Sequence, residues 1–143
     1  MIILGIGVDA CRISRMRSYP PDSTFALRYF SDEERAYLQQ KGVGQAQSMA
    51  GMFAAKEAFA KALGTGVRGF SLKEVEVLHD PAGRPYYRIT GKAREIQNSR
   101  GMDEMLLSIT HEGSLAIAFA LAQGPDKEGA DPFARPETGG ENE

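Results

Sequence analysis

Apolar and polar positions alternate between two rhythms along this chain, and the changes of rhythm predict its elements. Residues 2–8 form an apolar run broken by Gly5 and Gly7 and ended by Asp9, the pattern of a buried strand that delivers a carboxylate at its end. A helix is expected over 12–18, stopped by Tyr19-Pro20-Pro21-Asp22. Asp22 is placed to cap a helix through Tyr29, and Ser31-x-x-Glu34 has the form of a capping box that opens another. After a loop over 41–44, the most regular helical pattern runs over 45–63 and stops at Gly64, a residue suited to a left-handed C-terminal cap. Residues 73–78 alternate as a strand, Asp80-Pro81-Ala82-Gly83 makes a turn, and 85–89 returns as the hairpin partner. A modest helix over 92–98 precedes two apolar runs, 106–111 and 115–121, joined by Glu112-Gly113-Ser114 as a second hairpin. The mixed order makes the class α+β, with a small antiparallel sheet packed on one long helix and several short ones.

Composition sets the frame around these elements. A chain of 143 residues has room for one domain with a real core, expected over 1–123. From Gly124 onward six acidic and two basic residues sit among Gly and Pro, so 124–143 is expected to be an acidic, disordered tail. Taking its charge of −4 from the total of −2 leaves the body at +2, too little for a broad nucleic-acid-binding face. The positive charge is local, at Arg12, Arg15, Arg17 and Arg28, offset only by Asp22. No apolar run approaches the roughly 20 residues of a membrane span, and the opening residues lack a signal-peptide pattern, so a soluble cytoplasmic protein is expected. The lone Cys11 excludes an internal disulfide and a cysteine-ligated zinc cluster.

The long helix holds the candidate chemistry. Wound at 100° per residue, Met49, Met52, Phe53, Phe59, Ala60 and Leu63 form one apolar stripe. Lys56 falls inside it, while Glu57 and Lys61 are i,i+4 neighbours on its border beside Ala50 and Ala54, whose small side chains would leave room for a ligand. On an arbitrary helix Glu57 and Lys61 would be a surface ion pair, and Lys56 a stem reaching past the apolar edge to water. The turn Gly64-Thr65-Gly66 follows directly and can offer N–H groups and a hydroxyl to an anion, although it is not a P-loop.

In order and spacing, GIGVD at 5–9, FSDEERAY at 30–37, FAAKEAFAKALGTG at 53–66, the turn over 80–85 and SITH at 108–111 resemble the holo-[acyl carrier protein] synthases, the small bacterial phosphopantetheinyl transferases. The resemblance covers residues 1–121 and implies a 4′-phosphopantetheinyl transferase-like fold. It implies Mg2+ held by Asp9 and Glu57, with Lys61 facing the pyrophosphate of coenzyme A. It further implies that Lys56, Gly64, Thr65, Gly66, Ser108, Thr110 and His111 lie near the coenzyme A phosphates or the groups that position them, with Asp9, Glu57, Lys61 and His111 as the catalytic set.

The implied reaction is attack by a serine hydroxyl of apo acyl carrier protein on the pantetheine-side phosphorus, expelling adenosine 3′,5′-bisphosphate. Water on the metal or Glu57 would accept the serine proton. Arg12, Arg15, Arg17 and Arg28 would form a docking surface for an acidic carrier, with Met16 and Tyr19 as apolar contacts. A homotrimer with active sites at the subunit interfaces is also implied. The chain departs from the family at Met52, where many members carry Arg, and in GVGQAQ at 42–47, which lacks the usual basic residues; altered coenzyme A affinity is the expected consequence. Two other readings suit the same charges: a magnesium-dependent pyrophosphate hydrolase and a non-catalytic nucleotide-binding module.

Overall fold

The computed structural model describes residues 1–126. Strand β1 (Ile2–Arg12) is followed by short helices α1 (Ile13–Met16), α2 (Thr24–Tyr29) and α3 (Asp32–Gln39). A 3₁₀ turn, Gly42–Gly44, leads into the long helix α4 (Gln45–Leu63). A second, Leu72–Glu74, precedes the hairpin β2 (Val75–His79) and β3 (Pro85–Ile89); α5 (Gly91–Ser99), β4 (Glu104–Glu112) and β5 (Leu115–Gly124) complete the order. The class is α+β, as the patterning indicates, but the strands form two antiparallel sheets, β1-β5-β4 and β2-β3.

Several boundaries differ from expectation for local reasons. β1 extends to Arg12 because β5 keeps pairing with it, Arg12 opposite Leu115, and the helix expected over 12–18 shrinks to one turn. Ser23, not Asp22, caps α2, its Oγ accepting from the Ala26 N–H at 3.2 Å. The capping box at α3 forms in both directions: Ser31 Oγ accepts from Glu34 N–H and Glu34 Oε1 accepts from Ser31 N–H. Gly64 ends α4 with φ of +81°, in the left-handed region. Gly124 pairs with Ile2 and so belongs to β5, beyond the expected domain edge at 123. The remainder of the acidic tail lies outside the described residues.

Close approach of backbones organises the core. A Cβ on Gly5 would stand 2.1 Å from the Ala62 carbonyl oxygen and one on Gly7 2.0 Å from that of Ala58, so only glycine lets β1 lie this near α4. Ala116, Ala118, Ala120 and Ala122 present the same thin surface from β5. Helix α4 is consequently covered on nearly every side: Ala50 and Ala54 are fully buried, which removes the open space the helical projection left beside Glu57. One cluster of larger side chains, Phe30, Leu38, Met49 and Phe53, fills the side toward α2 and α3; another, Phe59, Leu63, Val75 and Met102, lies toward β2 and α5.

Among the described residues the opposite face of the three-stranded sheet has no such cover. Ile6, Val8, Phe119 and Leu106 stand there 55%, 54%, 42% and 44% exposed. Among the described residues no helix is long and apolar enough to cross a membrane.

Candidate active site

Alternation along β1 puts Gly5, Gly7, Asp9 and Cys11 on the face toward α4. Where the glycines end, Asp9 is the first side chain to reach past the helix. Lys61 Nζ donates to Asp9 Oδ1 at 3.1 Å and to the Val8 carbonyl at 3.0 Å. Glu57 lies one turn earlier on α4, half-buried. Burial chiefly, and then the Asp9 charge, push its carboxyl above the usual range, while Lys61 and Arg15 pull the other way. The structure therefore brings Asp9, Glu57, Lys61 and Arg15 together at one edge of the sheet, with the Arg15 guanidinium 5.1 Å from the centre of the Phe53 ring.

Two adjacent carboxylates repel, and a hard cation relieves that repulsion. No group of three metal-ligating His, Cys, Asp or Glu side chains exists among the described residues. The donor set here is thus two carboxylates, which fits Mg2+, an ion that keeps waters and takes substrate phosphates as its other ligands.

Lys56 does not belong to this edge. It is completely buried, and its three N–H groups are spent on Glu34 Oε1 at 2.7 Å and on the Leu72 and Val75 carbonyls at 2.8 Å each. Burial drives the ammonium's pKa down and that of Glu34 up, and their mutual attraction opposes both shifts. With no proton left to donate and no exposed surface, Lys56 neither contacts a phosphate nor extends to water, which corrects both expectations for it. Met16 is corrected as well: at 2% exposure it packs in the core and offers nothing to a docking partner. Arg12, Arg15, Arg17 and Arg28 are exposed, and Tyr19 stacks on Phe25 with ring centres 4.1 Å apart.

Gly64-Thr65-Gly66 leaves the C-terminal end of α4, Gly64 and Gly66 both at positive φ and Thr65 Oγ1 donating to the Gly66 carbonyl at 2.8 Å. Sequence patterning missed what holds this turn. Arg100 Nη1 donates to the Leu63 carbonyl at 2.8 Å, placing a cation at the negative end of the helix. The pairing is 37 residues apart in sequence and leaves no local signature.

His111 sits elsewhere. β5 separates its strand, β4, from β1, so Asp9 and His111 lie on opposite edges of the sheet. His111 Nε2 is 3.1 Å from the Gln47 carbonyl, which can only accept, so that nitrogen carries the proton. His111 borders a cleft of about 190 Å³ together with Tyr37, Gly51, Met52, His79 and Pro85. Tyr37 and His79 stack there, ring centres 4.2 Å apart, with Lys41 Nζ 4.6 Å from the tyrosine ring. Ser108 and Thr110 alternate with His111 and face the other side of the sheet. The carboxylates and Lys61 thus lie at the β1 edge, and His111 with its cleft at the β4 edge.

Residues 5–120 match the model of the 4′-phosphopantetheinyl transferase superfamily. A holo-[acyl-carrier-protein] synthase of Treponema denticola is 41% identical over 123 residues, 86% of this chain and 100% of the relative. That of Alkaliphilus metalliredigens is 43% identical, covering 85% and 99%. The chain belongs to the 4′-phosphopantetheinyl transferase superfamily, among its holo-[acyl-carrier-protein] synthases. Among solved synthases, that of Neisseria meningitidis superposes with a TM-score of 0.77 at 33% identity, over 85% of this chain and 99% of the other. A Chronobacterium ammoniagenes synthase in complex with coenzyme A gives 0.71 at 31%, over 88% and 100%. The chain is an enzyme of this class.

Proposed function

We propose that this synthase transfers the 4′-phosphopantetheine group of coenzyme A to a serine of apo acyl carrier protein in the cytoplasm, in a Mg2+-dependent phosphoryl transfer that releases adenosine 3′,5′-bisphosphate. The observation that carries this reading is the convergence of Asp9, Glu57 and Lys61 at one exposed edge, two oxygen donors and a cation where a pyrophosphate can lie. The coenzyme A complex of a solved relative supports the substrate.

Phosphoryl transfer needs alignment and neutralisation more than covalent assistance. Asp9 and Glu57 would hold the metal, which when bound supplies positive charge to the pyrophosphate oxygens. The serine oxygen forms a bond to the pantetheine-side phosphorus as the bond to the bridging oxygen breaks. A water beside the carboxylates, or Glu57 itself, would take the serine proton. Lys61 would swing from Asp9 to the departing bisphosphate, and Gly64-Thr65-Gly66 would offer N–H groups and a hydroxyl beside it. Arg12, Arg15, Arg17 and Arg28 would receive the acidic carrier.

The separation of the Asp9 and His111 edges and the exposed apolar sheet face together support a homotrimer. Exposed Ile6, Val8, Phe119 and Leu106 form the kind of apolar face that association buries. A neighbouring copy would bring His111, with Ser108 and Thr110 near the seam, to the Asp9 edge. The deciding experiment is intact mass of apo carrier after incubation with coenzyme A, Mg2+ and this protein. Gain of one phosphopantetheine arm is expected; coenzyme A hydrolysis without carrier modification would instead make the protein a pyrophosphate hydrolase.

A further inference from the structure

Lys56 and Glu57 are consecutive on α4, about 100° apart around the helix, so whatever fixes one fixes the direction of the other. On the β1 side little does so. Gly5 and Gly7 lie flat against the Ala62 and Ala58 carbonyls, and the helix surface there is alanine, which resists compression but offers no interlocking side chain against a roll about the axis.

From the other sides Phe53 and Phe59 pack into the core and the Tyr87 hydroxyl donates to the Ala55 carbonyl, and Lys56 adds the polar restraint nearest Glu57. Its Nζ stands in a tripod of acceptors, Glu34 Oε1, Leu72 O and Val75 O, all at 2.7–2.8 Å. The tripod is itself pinned. Glu34 Oε1 accepts from Ser31 N–H at 3.0 Å and Oε2 from Val77 N–H at 3.1 Å, so α3, β2 and the 3₁₀ turn before β2 hold a single point on α4.

Stability alone does not call for a charge here, since buried ion pairs are commonly replaceable by apolar residues at no cost. Geometry does. At a side-chain radius of about 6 Å, a helix roll of about 20° displaces a carboxylate by about 2 Å. Misplacement by about 1 Å at a reacting centre can cost on the order of 100-fold in rate.

We propose that the buried Lys56–Glu34 pair is a positioning element that sets the rotation of α4, and thereby the placing of Glu57 and Lys61 against Asp9. The inference rests on the functional reading given above. It adds residues 34 and 56 to the determinants of the reaction without letting either touch substrate.

The test compares K56M, K56M/E34Q and E34D with the wild type. Each is measured for Tm, for kcat, carrier KM and the Mg2+ concentration giving half-maximal transfer, and for Mg2+–coenzyme A binding by calorimetry. K56M alone strands the Glu34 charge and should fold poorly. K56M/E34Q removes both charges and E34D keeps the pair while shortening one arm, so these two should stay folded with Tm within several degrees of wild type. In both, half-saturating Mg2+ should rise about tenfold and kcat should fall by on the order of 10- to 100-fold, with carrier KM unchanged. Wild-type kcat and Mg2+ dependence in either folded variant overturns the proposal. Failure of both to fold also overturns it, since the pair would then be a stability determinant. Should the wild type transfer nothing, the functional reading falls, and weakened or unchanged Mg2+–coenzyme A binding in the folded variants still decides this one.

Discussion

Lys61 on α4 and Asp9 on β1 meet at 3.1 Å across 52 residues of sequence, with the lysine side chain 54% exposed and the aspartate 23%. An ion pair this open to water stabilises a fold by about 1 kcal/mol at most. Under the proposed function its position beside Glu57 gives it far more consequence for chemistry. We predict that Lys61→Ala and Glu57→Gln each lower the rate of carrier modification by about 100-fold or more, the range for removing one preorganised charge from a transition state. Tm should move by no more than a few degrees, and with Glu57→Gln it should hold or rise, because a carboxylate whose ionisation burial disfavours is exchanged for a neutral amide. Near-normal turnover in either variant would remove that residue from the reaction.

Arg15 would link this edge to the proposed carrier-docking surface. It is exposed, rests over Phe53 and lies close enough to Glu57 to pull that carboxyl's pKa down. Arg15→Glu should raise the carrier KM by about tenfold or more and weaken the dependence of that KM on salt, since an attractive charge contact has been reversed. Coenzyme A affinity measured by calorimetry should stay within about twofold of wild type. Loss of coenzyme A binding instead would place Arg15 with the nucleotide.

Gly7→Ala tests the contact that sets Asp9 at the right height. The new Cβ would fall 2.0 Å from the Ala58 carbonyl oxygen and 2.8 Å from the Ala62 nitrogen, backbone atoms that cannot turn aside. The expected loss is about 3 kcal/mol or more, at the upper end for overpacking. Gly83→Ala is the control: open space surrounds it, and only its φ of +88° opposes a side chain, at about 1 kcal/mol. Urea unfolding of the pair should rank them in that order; equal losses would mean that β1 can move away from α4.

These elements divide sharply by how far apart in sequence their causes lie. The capping box of Ser31 and Glu34, the stop at Gly64 and the Asp80 turn are local, and pattern alone finds them. The neighbouring of Glu57 and Lys61 was legible from their i,i+4 spacing, whereas their meeting with Asp9, across 52 residues, was implied only by the family resemblance. Lys56 was not legible. Its surroundings come from Glu34, Leu72 and Val75, 16 to 22 residues away, and a helical projection shows only that it lies on an apolar stripe. The same limit hid Arg100 on the Leu63 carbonyl, the burial of Met16 and the stacking of His79 on Tyr37.

Burial of His79 predicts a fold sensitive to acid. Burial first, then Lys41, lowers its pKa, with Asp80 opposing, and among the described residues its buried Nδ1 has no hydrogen-bond partner. A histidine whose pKa is lower folded than unfolded favours the folded state fully above its unfolded pKa of about 6.5, and that contribution is lost as pH falls through the lower folded value. Stability should therefore decline below about pH 6.5 more steeply in the wild type than in His79→Phe, which keeps the stack on Tyr37 and cannot be protonated. Parallel pH profiles of urea midpoints would show that His79 contributes nothing to acid sensitivity.

The separation of His111 from Asp9 by a whole strand yields the strictest test of the shared site. If each centre joins the Asp9 edge of one copy to the His111 edge of the next, Asp9→Asn and His111→Ala chains are each inactive alone and complement one another when co-assembled. In a random ring, about a quarter of the interfaces pair an intact Asp9 edge with an intact His111 edge, so mixed assemblies should recover about that share of wild-type transfer. Recovery should require subunit exchange, which brief unfolding and refolding of the mixture provides and simple mixing below the exchange time does not. Sedimentation of the same samples must show trimers throughout. A co-refolded mixture no more active than its parents would assign both edges to separate tasks within one chain, and the exposed Ile6, Val8, Phe119 and Leu106 would then need another partner.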